Sequence, residues 1–251
     1  MEAAGQKNNI YRTYRRRRPE YHCCRIVVGE TDLWLESSQD CREKAEKLVR
    51  DLRRPLRSYI NRHPAFLTTL KPWPVDPGAP ELIKKMIAAS RKAGVGPMAA
   101  VAGALAGMLG ESLLAVGVDE LFIENGGDLF FTRQKPRIIA VYAGRSPFSW
   151  KVGIKVTTGE PLSICTSAGT VGPSLSMGKA DAAVIVSPDA ALADAVATAA
   201  GNKIHKSSAL AKTAEYIASV PGISGVLLIC GTKLAAWGEI ELVNLTEKEK
   251  N

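Results

Sequence analysis

Ala180 to Asn202 reads ADAAVIVSPDAALADAVATAAGN. Ala182 to Val186 is an unbroken apolar run of strand length, and a Ser-Pro-Asp turn separates it from an alanine-rich segment. Alanine is the best helix former, so that segment is expected to be helical. A helix here sets Asp194 and Thr198, four residues apart, on one face. A carboxylate and an alcohol are hard oxygen donors that suit Mg²⁺ rather than zinc. The same spacing also arises on ordinary solvated helix faces, so spacing alone leaves a metal site and a plain polar face both open.

Working outward, Asn125-Gly126-Gly127-Asp128 lies between two apolar strand-like runs. Asn-Gly-Gly provides the positive φ values of a tight hairpin. The same bare backbone lets amides approach a ligand, with Asp128 as acceptor or structural cap. Cys165 to Ser176, CTSAGTVGPSLS, reads as a polar loop after a strand. Such a loop can hold phosphate or ribose through hydroxyls and amides, with Thr166, Ser167 and Gly169 the preferred contacts, or it can be a surface linker. Gly94 to Ala99, GVGPMA, has the loose spacing of a dinucleotide fingerprint, with Glu124 as a candidate ribose acid. That fingerprint must follow a strand, whereas helix precedes it here and Pro97 interrupts the turn. The glycines read more simply as a helix stop and restart. A serine hydrolase is excluded, because G-x-S-x-G is missing and nothing orients His205 as a base. His22, His63 and His205 do not cluster in the sequence.

The remaining pattern predicts a hairpin over 23–36 and an amphipathic helix over 39–61 that Pro55 kinks or divides. Residues 63–79 hold Pro64, Pro72, Pro74 and Pro77 and read as an internal connection that could separate two sub-lobes of one domain. Helices follow over 79–93 and 98–116, the second almost uncharged, with Ala99, Gly103, Ala106 and Gly110 small enough for close packing. Strands are expected at 119–124, 127–133, 137–142, 150–157 and 162–166. A helix over 207–219 and a closing hairpin, 225–230 with 234–237, complete the chain. Partly segregated helices and several hairpins predict an α+β fold with largely antiparallel sheets packed with helices.

Several stretches together resemble one family. Leu192 to Thr198, LADAVAT, looks like the ADA-x-A-T helix of the ApbE-like superfamily, whose characterised members are FAD:protein FMN transferases, and Ile123 to Leu129, IENGGDL, is similar to its strand ending in GGD. A small, functionally uncharacterised branch is more similar still, through Tyr14-Arg15, Glu30 to Leu33, Gly94 to Ala104 and Cys165 to Gly172. The resemblance implies an ApbE-like fold and Mg²⁺ held by Asp194, Thr198 and the Ala99 carbonyl. It implies FAD or a related nucleotide at Asn125, Gly126, Gly127, Asp128, Thr166, Ser167 and Gly169. In the transferases that ion stabilises charge developing on the FAD pyrophosphate while a protein threonine attacks. Where the family has a lysine, a glycine and an aspartate in a helix before GGD, this chain has Ala102, Gly103 and Gly107. Pro173 stands near the family's histidine. The resemblance therefore implies a degenerate site. It leaves open FMN transfer, FAD hydrolysis, or flavin or nucleotide binding without catalysis.

The 251 residues suffice for one large domain. No run of 18 uninterrupted apolar residues occurs, and the first 22 residues carry charge without an apolar core. A membrane span is not expected, and the reading is cytoplasmic. The five cysteines, Cys23, Cys24, Cys41, Cys165 and Cys230, form no C-x-x-C pair and read as reduced thiols, mostly small core residues. Of the net charge of +8, residues 1–62 hold most, with 15 Lys/Arg against 9 Asp/Glu, concentrated in Arg15 to Arg18 and the helix behind. A basic arm over 1–20 can bind nucleic acid or an anionic membrane, yet no aromatic stacking pattern or known module accompanies it, which argues against a nucleic-acid partner. A small-molecule flavin or nucleotide is the expected partner, and a homo-oligomer stays open.

Overall fold

The computed structural model describes residues 20–168 and 178–245. Arg15 to Arg18, Gly169 and Pro173 lie outside them. Strands β1 (His22–Val28) and β2 (Thr31–Ser37) form the first hairpin, turning at Gly29 with φ +59°. Helices α1 (Arg42–Arg62), α2 (Ala65–Thr68) and α3 (Glu81–Ala93) follow, then a 3₁₀ turn (Pro97–Ala100) leading into α4 (Val101–Ala115). After them come β3 (Leu121–Asn125), β4 (Asp128–Arg133), β5 (Arg137–Ala140), β6 (Val152–Val156), β7 (Gly159–Ser167) and β8 (Ala182–Ser187). Helix α5 (Ala190–Lys203), α6 (Leu210–Ala218), β9 (Gly225–Cys230), β10 (Lys233–Gly238) and β11 (Glu241–Asn244) complete the order.

Eight strands form one sheet in the order β1-β2-β3-β4-β7-β8-β9-β10, and β11-β6-β5 form a second. Every neighbouring pair is antiparallel. The α+β class with largely antiparallel sheet read from the sequence is the one observed. Helices cover one face of the large sheet and the small sheet covers the other. Strand β8 shows why its sequence is apolar throughout: Ala183 and Ile185 pack toward the helices, while Ala182, Val184 and Val186 pack toward the small sheet. Successive strand residues point to opposite faces, so a strand buried on both sides loses its alternation.

Two expectations are corrected. Pro55 does not divide α1; one helix runs from Arg42 to Arg62 with the proline inside it. The carbonyl deprived of its helical donor belongs to Asp51, an exposed residue, where water can take the missing bond. The polar loop expected from Cys165 does not begin there either: the strand expected over 162–166 holds through Thr166 and runs on to Ser167. Strand β7 continues through them, paired with Val184 and Ala183 of β8. Polar composition suggested a loop there, but the ladder offers the backbone hydrogen bonds that water would otherwise supply.

The segment over 63–79 carries only α2, and Phe66 from it is fully buried, edge-on to Tyr59 and Trp73. Gly94, at φ +74°, ends α3 as a helix stop should. The stretch Pro97–Ala115 is long and apolar enough to cross a membrane by length and composition, although half of it is buried inside the protein. Its small residues set how closely α4 approaches its neighbours. A Cβ at Gly107 would stand 2.9 Å from Ala190 Cβ, and one at Gly110 would overlap the Phe130 ring.

Candidate functional site

Four elements converge at one end of the large sheet: the β3–β4 turn, the end of β7, the start of α4 and the first turns of α5. The sequence fixes the start of α5 locally, because Asp189 accepts a hydrogen bond from the Leu192 amide at 3.1 Å as its N-cap. Helix α4 has no such cap of its own, since Ala100 occupies the capping position. Asp194 provides it from the neighbouring helix. Its Oδ2 accepts from the Gly103 amide at 2.9 Å, and the Ala102 amide adds a second hydrogen bond. A carboxylate at a helix N-terminus also meets the positive end of the helix dipole. Only glycine permits this approach, because a Cβ at Gly103 would stand 2.7 Å from Asp194 Cβ and overlap the Ala190 carbonyl.

Asn125 and Asp128 pair across a two-residue turn in which Gly126 and Gly127 take φ +67° and +107°. Both φ values are positive, as a twist-matched hairpin turn requires. The Asn125 amide donates to the Ala102 carbonyl at 3.0 Å, tying the turn to the start of α4. Glu124, buried at 1% exposure, accepts from the Gly127 amide at 3.1 Å. Asp128 is buried too, held by hydrogen bonds from the Cys165 thiol and the Thr166 amide.

Burial and like charge dominate the electrostatics. Desolvation first, and then Glu124, push the Asp128 carboxyl up to about 7, against the two hydrogen bonds that favour its anion. Asp194 rises well above the usual carboxylate range, through burial first and the Asp128 charge second, opposed by the Gly103 and Ala102 amides. Cys165, fully buried, stands with its Sγ 3.6 Å from the Ala190 carbonyl oxygen. Its thiol is raised strongly by burial, then by Asp128 and Asp194. Asp128, Cys165 and Asp194 therefore act on one another, and neither aspartate forms an ion pair with Lys or Arg among the described residues.

The structure brings together Asn125, Gly126, Gly127, Asp128, Thr166 and Asp194 from the residues singled out by sequence. Thr198 follows Asp194 by one turn of α5 and is partly exposed. Ala99 sits in the 3₁₀ turn that packs on α5, its amide bonded to the Gly96 carbonyl at 3.1 Å. Ser167 is buried, and its Oγ has no hydrogen-bond partner among the described residues. Those residues include no ready-made group of three or more His, Cys, Asp or Glu able to hold a metal. Sequence reading missed Cys165 as part of the cluster, along with the capping amides of Ala102 and Gly103. The thiol carries no motif, and a backbone amide carries no letter. Cys41 is buried like Cys165, but Cys23 is exposed and Cys24 and Cys230 are partly so, against the expectation of mostly core thiols.

A family profile described as AbpE bacteria matches residues 15–230. The chain belongs to that family. A relative named UPF0280 protein from Methanocella arvoryzae is 40% identical over 190 residues, spanning 75% of this chain and 77% of the relative. Another of that name from Methanococcus vannielii is 36% identical over 232 residues, spanning 90% and 94%. The architecture of this AbpE-family chain recurs in the ApbE protein from Thermotoga maritima, with a TM-score of 0.62 at 16% identity over 86% of this chain and 96% of that one. It recurs in the flavin transferase ApbE from Vibrio cholerae, with a TM-score of 0.59 at 13% identity over 87% and 97%. At such identities the likeness is one of fold.

Proposed function

We propose that this chain binds a flavin or another nucleotide pyrophosphate together with Mg²⁺ at the junction of the β3–β4 turn, β7, α4 and α5, and acts on it as a transferase or hydrolase. The observation that carries the reading is the acid pair, Asp128 buried and Asp194 partly buried beside it. Asp128 and Asp194 repel each other and form no ion pair with Lys or Arg among the described residues, an arrangement that a divalent cation relieves. Asp194, Thr198 and the Ala99 carbonyl would hold the ion, all hard oxygen donors. Bound there, it would supply charge neutralisation at a pyrophosphate. Asn125, Asp128, Thr166, Ser167 and Gly169 would orient the nucleotide, and the bare backbone of Gly126 and Gly127 would admit it closely.

A second reading, binding without turnover, is favoured by the packing of α4. Gly107, where the family has an aspartate, faces Ala190 too closely for a polar side chain, and Ala102 offers a methyl group where the family has a lysine. One experiment separates the two readings. Purified protein is incubated with FAD and Mg²⁺, and FMN, AMP and flavinylated peptide are measured beside the melting temperature. Turnover that Asp194→Asn abolishes supports the enzyme. A thermal shift without product supports the binder, and neither shift nor product sinks both.

A further inference from the structure

Strand β7 ends in two neighbouring hydroxyls that point to opposite faces of the large sheet. Leu162 and Ile164 belong to the core under the small sheet, and Thr166 shares their side by the strand period of two. Cys165 belongs to the core under the helices, so Ser163 and Ser167 face α5 with it. Thr166 is partly exposed, whereas Ser167 is buried at 5% exposure and its Oγ has no hydrogen-bond partner among the described residues. A buried hydroxyl left unpaired costs free energy, so it calls for a partner from outside the chain.

Two contacts fix how α5 lies beside that strand. Cys165 Sγ stands 3.6 Å from the Ala190 carbonyl oxygen at the start of the helix. The Lys179 amide, just ahead of β8, donates at 2.6 Å to the Ile204 carbonyl at the helix end. Helix α5 therefore runs back along β8, and because β7 is antiparallel to β8, α5 and β7 run in the same sense. Two strand residues, Cys165 to Ser167, advance ~6.8 Å, and four helix residues, Ala190 to Asp194, advance ~6 Å. Ser167 thus comes level with Asp194, and Thr198 follows one turn on. From Ala190 to Ala200, Asp194 and Thr198 are the two residues that are not fully buried, which sets both at one opening of the helix face.

We infer that the Ser167 hydroxyl is a further ligand for the divalent cation, beside Asp194, Thr198 and the Ala99 carbonyl. The inference rests on the function proposed above and deepens it. Mg²⁺ takes oxygen ligands, and a serine hydroxyl adds one without adding a charge that would repel the acids. Ser163 is the built-in control. Its Oγ is buried and unpaired like that of Ser167, but it lies four residues and ~14 Å back along β7, out of reach of Asp194.

The test uses the full chain. Mn²⁺, which suits the same oxygen ligands, is titrated by electron paramagnetic resonance, and the melting temperature is measured in EDTA and in Mg²⁺. Ser167→Ala weakens Mn²⁺ binding about tenfold and shrinks the rise in melting temperature that Mg²⁺ gives. In EDTA it melts no lower than wild type, because it loses only an unpaired hydroxyl. Ser163→Ala leaves the Mn²⁺ affinity unchanged. A wild type that binds neither ion sinks the proposed function and this inference together. Wild-type binding that Ser167→Ala leaves intact overturns the inference alone, and is the result a buried water on Ser167 would give. A Ser167→Ala chain destabilised equally in EDTA and in Mg²⁺ also overturns it, since the hydroxyl would then be structural.

Discussion

Helices α1 and α5 solve the same problem, covering one face of a sheet, in opposite ways. Of the 21 residues in α1, five are buried, and its outer face carries Lys47, Arg50, Arg54 and Arg57 in the open. Of the 14 in α5, ten are buried, yet the same helix holds Asp194. The first is a largely solvated helix whose outer charges answer to water, Arg53 alone among them being buried against Thr31 and Glu30. The second is a core helix whose one acid answers to neighbours far away in the chain. An identical carboxylate is thus nearly inert on α1 and consequential on α5, because screening by water removes most of its interaction in one place and burial preserves it in the other.

The strongest way to break this contrast is to separate α5 from α4. Gly103→Val drives a side chain into the Ala190 carbonyl and Asp194, and is expected to cost about 3–4 kcal/mol by urea unfolding. A loss below about 1 kcal/mol would mean that the two helices can part freely.

The pH dependence comes next. Native Asp128 keeps its proton up to about 7, against an ordinary value of 3.8. The native state therefore binds more protons than the unfolded chain between those values, and stability falls as pH rises through that window. Wild type should lose about 3 kcal/mol from pH 5 to 8 on this account. Asp128→Asn should flatten that portion of the profile, and Mg²⁺ should flatten it in the wild type if the acid pair takes the ion. Profiles that are parallel in all three cases remove the acid pair as an electrostatic centre.

Smaller effects belong to α1. Pro55→Ala restores a helical donor and should stabilise by about 1 kcal/mol, measured by the midpoint of denaturant unfolding. Arg54→Ala, whose partner Asp51 is 3.3 Å away and largely solvated, should change stability by less than about 0.5 kcal/mol. A large loss there would show that α1 is not the solvated helix it resembles.

The sequence was most legible where local rules act alone. Gly94 as a helix stop, the Asn125 to Asp128 turn and the apolar strand at 182–186 were each readable from a few neighbouring letters. The end of β7 was not, since Ser167 looks like a loop residue until Ala183 is placed beside it. Strand β11 escaped too, because EIELVN carries no turn signal and becomes a strand only by pairing with β6. At the candidate site, Asp128 and Asp194 could be singled out, but not the Cys165 thiol that stands with them or the α4 amides that one of them caps.

By itself, the sequence determined the α+β class, the order of most elements and the presence of an acid on an alanine-rich helix, because periodicity and turn chemistry act over a few residues. Only the tertiary structure decided what that acid does. Asp194 meets Gly103 and Asp128 across 91 and 66 positions of chain, and desolvation is a property of everything packed around a group, which no stretch of neighbouring letters specifies.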